Sequence, residues 1–121
     1  MVLVDTSVWI SHFRKAHDGL VELLNHGEVV CHPFIIGELA CGTFKNRANI
    51  LLLLEALPTA FPAEHEEVLA FIESHSLMGK GLSFVDIHLL ASATLSRLRI
   101  WTFDKKLEQV ANMLHIKYLA R

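Results

Sequence analysis

Short apolar runs alternate with longer segments of helical pattern along the whole chain, and this alternation limits the fold more than any other feature. Val2-Leu3-Val4 reads as a buried strand, Glu28 to His32 as a second, Arg99 to Thr102 as a third, and Ile116 to Leu119 as the last. A helix capped by Thr6 or Ser7 is expected to run to about Lys15. Others fit Gly19 to His26, a stretch opened by Pro33 and continued from Phe34 to Gly42, then Asn46 to Leu57 and Glu64 to Leu77. Met78-Gly79-Lys80-Gly81 reads as a loop, followed by helices from Ser83 to about Arg97 and from Asp104 to Leu114. Strands separated by helices imply right-handed crossovers and a parallel sheet covered on both faces. Continuous apolar strands suit such a sheet. The expected class is therefore α/β, with ligands bound beyond the carboxyl ends of the strands. Asp5 and Asp104 both fall just past such ends.

The chain has 121 residues, 52% of them hydrophobic, which suits one domain over 1–121 with a sizeable core. No apolar run approaches the ~20 residues of a membrane-spanning helix, and the start lacks a signal-peptide pattern. No membrane association and a cytoplasmic location are expected. Cys31 and Cys41 make neither a disulfide framework nor a zinc site, and are expected as buried thiols. Eight histidines form no H-E-x-x-H pattern, and Gly79-Lys80-Gly81 lacks the spacing of a phosphate-binding loop. His88 is assigned to packing or solvent, and Trp9 and Trp101 to the core. A net charge of −2 excludes a basic protein that coats nucleic acid, but not a nuclease. Arg14, Lys15, Lys45, Arg47, Lys105 and Lys106 lie near the ends of acid-bearing elements. Most are read as solvated charge, while some, with Lys80, are placed to meet phosphates.

Most of the thirteen acids occupy polar positions of amphipathic helices. Four sit elsewhere. Asp5 ends the first strand, where a helix terminus or a metal would favour it. Glu38, in PFIIGELACG, has almost wholly apolar or small neighbours; it either points outward or needs a partner such as a cation. Asp86, in GLSFVDIHLLASA, stands three residues after Ser83 in a capping-box pattern. Asp104, in WTFDKKL, reads as an N-cap, with Thr102 adding an oxygen near the same strand end. Acids at the ends of different elements of a parallel sheet can converge on one point. An all-oxygen cluster selects a hard cation, Mg²⁺ or Mn²⁺, which can activate water for in-line attack at phosphate.

The segments DTSVWI, GELACG, GLSFVDIHLLASA and TFDKKL, in this order and spacing, resemble the PIN-domain ribonucleases, and within them the VapC-type toxins of toxin–antitoxin pairs. The resemblance spans essentially the whole chain. It implies a three-layer α/β/α sandwich around a central parallel sheet, and endoribonuclease activity dependent on Mg²⁺ or Mn²⁺. It assigns Asp5, Glu38, Asp86 and Asp104 as the catalytic, metal-binding quartet, with Thr6, Ser7 and Thr102 in support. It also implies a cognate antitoxin, an RNA substrate and a homodimer.

Two rivals bear weighing. A phospho-accepting receiver domain would need an acidic pair after the first strand and an Asp after the third. Here no Asp lies between Asp18 and Asp86, so that reading is poor. A non-catalytic PIN-like module that binds RNA or protein is opposed by the complete quartet.

Overall fold

The computed structural model describes residues 1–119. Strand β1 (Val2–Val4) lies at the centre of a three-stranded parallel sheet of order β2-β1-β3, between β2 (Val29–Val30) and β3 (Arg99–Trp101). Val2, Leu3 and Val4 are all buried, as a strand covered on both faces requires. Helices α1 (Thr6–Arg14) and α2 (Asp18–Asn25) connect β1 to β2. Helices α3 (Pro33–Ala40), α4 (Arg47–Glu55), α5 (His65–Ser74) and α6 (Phe84–Ser96) carry the chain back across to β3, and α7 (Lys105–Met113) follows. The first crossover takes the chain from β1 to one edge of the sheet, and the second returns it past β1 to the other. The carboxyl ends of β1 and β3 therefore flank the switch point where open α/β sheets bind ligands.

The boundaries differ from expectation in instructive ways. Asp5 caps α1, in place of Thr6 or Ser7: its backbone is extended and its carboxylate accepts from the Ser7 N–H. The second strand contracts to Val29–Val30 because His32 leaves it to cap α3. Pro33 takes the first helical position, where its missing N–H costs nothing. The expected strand from Ile116 to Leu119 reduces to one parallel bridge between Lys117 and Ile100. Arg99 and Trp101 spend their edge groups on β1, so Ile100 alone turns outward, donating to the Ile116 carbonyl and accepting from Tyr118 N–H. On the other edge Cys31 likewise pairs with the extended piece at Thr59.

Helix α6 is the packing centre. Every residue from Ile87 to Ala93 is buried, and its small residues let neighbours approach closely. Trp9 and Trp101 are core residues, as expected. His88 is buried too, its ring edge-on to Phe34 and Phe84. Cys31 is buried, but Cys41 is exposed at the C-cap of α3, contrary to expectation. Among the described residues no helix is long and apolar enough to cross a membrane.

Candidate active site

Asp5 is carried to the switch point by β1, and its N–H donates to the Trp101 carbonyl, 2.9 Å away on β3. The side chain is 6% exposed. Its Oδ2 accepts from Ser7 Oγ at 2.7 Å, Thr102 Oγ1 at 2.8 Å and Ser7 N–H at 3.4 Å. Each hydroxyl has one proton, and both protons go to Asp5. The same two oxygens accept backbone donors, Ser7 Oγ from Phe103 N–H and Thr102 Oγ1 from Asp104 N–H, both at 3.0 Å. Ser7 and Thr102 thus lace the β1–α1 junction to the β3–α7 junction and fix Asp5 against Asp104.

Asp104 is the N-cap of α7, its Oδ1 accepting from Leu107 N–H at 2.9 Å. Asp86 closes a capping box: it accepts from Ser83 N–H through Oδ2, and Ser83 Oγ accepts from Asp86 N–H, each at 3.1 Å. Glu38 is exposed rather than buried. It sits on the flank of α3 beside the inward-facing Ile35 and Leu39, and its Oε1 accepts from Thr6 Oγ1 at 2.8 Å. The resolved alternative for Glu38 is the outward one, with Thr6 as its partner.

One pattern unites the four. Each carboxylate anchors a single oxygen to the protein. Among the described residues the second oxygen, Oδ1 of Asp5 and Asp86, Oδ2 of Asp104 and Oε2 of Glu38, has no protein donor. No Lys or Arg neutralises them either: the one ion pair among the described residues joins Lys117 to Glu108. Burial pushes the Asp86 carboxyl above the ordinary range, against the lowering effect of its bonds to Ser83, and the charges of Asp5 and Asp104 push it further. The three aspartates therefore share one field, and Glu38 is tied to the start of α1, next to Asp5, through Thr6. A cation among them would relieve that repulsion, and an all-oxygen donor set suits Mg²⁺ or Mn²⁺. Among the described residues no three His, Cys, Asp or Glu side chains form a ready-made chelate. An ion here would be held partly through water, as Mg²⁺ usually is.

His32 is a residue that sequence reasoning passed over. It is fully buried. Its Nδ1 accepts from Phe34 N–H at 3.0 Å, so the ring proton is on Nε2, which donates to Ser92 Oγ at 3.1 Å. Ser92 Oγ in turn accepts from Ala63 N–H. A neutral imidazole thus joins α3, which carries Glu38, to α6, which carries Asp86. Burial, assisted by His88, lowers the His32 pKa to about 4. The available signal was a His directly before a helix-opening Pro, the N-cap position.

The sheet order and the crossovers define a parallel α/β protein with Asp5 and Asp104 at its switch point. The PIN domain family model matches residues 2–113, and the chain belongs to that family. Ribonuclease VapC32 of Mycobacterium tuberculosis is 48% identical over 109 residues, 89% of this chain and 88% of the relative, with the same values in strains CDC 1551 / Oshkosh and ATCC 25618 / H37Rv. The crystal structure of PAE2754 from Pyrobaculum aerophilum superposes with a TM-score of 0.61 over 89% of this chain and 82% of that one. At 18% identity that likeness speaks for the fold alone.

Proposed function

We propose that this chain is a metal-dependent endoribonuclease, the toxin of a toxin–antitoxin pair, that hydrolyses RNA phosphodiester bonds at Asp5, Glu38, Asp86 and Asp104. The observation that carries the reading is the shared habit of the four acids, one oxygen anchored and one left over. Family membership and the likeness to a relative named as a ribonuclease support it. Bound among these oxygens, Mg²⁺ or Mn²⁺ supplies Lewis acidity at the phosphate and a more acidic water.

The residues have separable roles. Asp5, Asp86, Asp104 and Glu38 would hold the ion. Ser7 and Thr102 orient Asp5 by occupying Oδ2, which leaves Oδ1 without a protein donor. Thr6 does the same for Glu38. In the reaction a water oxygen bonds to phosphorus, one P–O ester bond breaks, and the departing oxygen takes up a proton. A cognate antitoxin that covers the site and a homodimeric state belong to the same reading.

The test is cleavage of total cellular RNA by the purified protein. Discrete products in Mg²⁺ or Mn²⁺, lost on chelation and restored by adding the metal back, are the expected result. Equal cleavage in excess chelator would remove the metal from the mechanism. No cleavage in either metal would favour a binding module.

A further inference from the structure

A cavity of about 450 Å³ opens directly beside Glu38. One wall is Ile10 and Phe13 from α1, and another is Phe44 from the loop between α3 and α4. The Phe13 and Phe44 rings are stacked, with centroids 4.6 Å apart and planes 17° from parallel. Arg14 and Lys45 stand on the lining, and among the described residues neither makes an ion pair. The loop is not loose. The Arg47 guanidinium donates to the carbonyls of Ala40 at 2.6 Å and Gly42 at 3.2 Å, which holds the end of α3 and the loop together.

Resting on the function proposed above, we infer that this cavity is a nucleotide subsite, which takes a base of the RNA next to the cleaved phosphate. Its size falls in the range of small-molecule sites, with apolar walls and a few charged groups. Both rings are partly buried, and the face of Phe44 that Phe13 does not cover is the kind of surface on which single-stranded bases stack. Two unpaired cations beside those rings match the phosphates on either side of a stacked base. Glu38 lines the cavity and accepts from Thr6, the neighbour of Asp5, so a base seated here has its phosphate on the side of the acids. A helix of a partner protein would value the apolar wall, but it has less use for two cations at the edge of an acid cluster. The subsite sets which base stands next to the cut.

The experiment is cleavage of a randomised RNA oligonucleotide pool, with product ends sequenced, for the wild type and three variants. Phe44→Ala removes the stacking face. Gly42→Leu fills space without removing a contact: Gly42 lines the cavity, and a Cβ there would meet only the Leu39 carbonyl, at 3.6 Å. Lys45→Gln removes one phosphate contact. The wild type is expected to show a base bias at one position beside the cut. Phe44→Ala and Gly42→Leu are expected to change the bias at that same position and to raise KM roughly tenfold, with a smaller effect on kcat. Lys45→Gln is expected to lower the slope of log affinity against log salt by about 0.7. Thermal melts separate a folding defect in Phe44→Ala from a recognition defect, and Gly42→Leu carries the test if that variant unfolds. A wild type without base bias, or folded variants with unchanged bias and KM, would overturn the subsite and leave the cavity to a protein partner. A wild type that cleaves no RNA would instead overturn the function on which the subsite rests.

Discussion

Asp5→Asn is expected to abolish RNA cleavage while the protein stays folded. Asparagine is as good a helix cap as aspartate, and its side-chain oxygen can still accept from Ser7 and Thr102. What it loses is negative charge and the second carboxylate oxygen, the one without a protein donor. If that oxygen holds the cation, the substitution forfeits several kcal/mol of transition-state stabilisation, about 10³-fold in kcat/KM. Initial rates on a defined RNA, with circular dichroism of the same samples, check it. A folded Asp5→Asn protein with wild-type rates in saturating metal would mean that Asp5 is only the cap of α1.

The second large effect concerns stability and acid. The folded-state pKa of His32 is lowered from 6.5 to about 4. Between those values the unfolded chain binds a proton that the native protein refuses. Its contribution to stability is therefore whole above the unfolded pKa and falls as pH drops through the window from 6.5 to about 4, by roughly 1.4 kcal/mol per pH unit. The full loss is about 3 kcal/mol. His12 and His88, also lowered, act with the same sign, while the raised Asp86 acts with the opposite one. Urea melts across this window should show stability falling toward acid. His32→Ala should cost about 3 kcal/mol at pH 7, from the cavity and from Phe34 N–H and Ser92 left without their partner. It should also flatten the pH dependence. An unchanged slope in His32→Ala would place the acid sensitivity elsewhere.

Much of the fold was legible because the physics involved is local. Apolar triplets such as Val2-Leu3-Val4, the Ser83-x-x-Asp86 box, the Asp104 cap and Pro33 at a helix start each act within a few residues. What was misread depends on distant geometry. Asp5, not Thr6 or Ser7, caps α1 through Ser7 N–H, and the hydroxyl that holds its carboxylate from the other side comes from Thr102, just past β3. The neighbours of Glu38 in sequence left its direction open, and the helix settles it: at 100° per residue Ile35 and Leu39 face inward while Glu38 stands on the flank, bonded to Thr6 of α1. The final strand failed because β3 is three residues long and offers one outward-facing residue. The site divides the same way. Its acids were visible as chain positions and as a family pattern. The hydroxyl lacing, the His32 tie between α3 and α6 and the cavity beside Glu38 join residues far apart in sequence.

The central claim is that the second oxygens of the four acids form a site for a divalent cation. Mn²⁺ binding, followed by electron paramagnetic resonance of the free ion at low ionic strength, tests this without RNA or turnover. The wild type should remove Mn²⁺ from solution saturably, Mg²⁺ should compete, and folded Asp5→Asn should lose the binding. A wild type with no saturable uptake, or a folded Asp5→Asn that binds as tightly, would contradict the account.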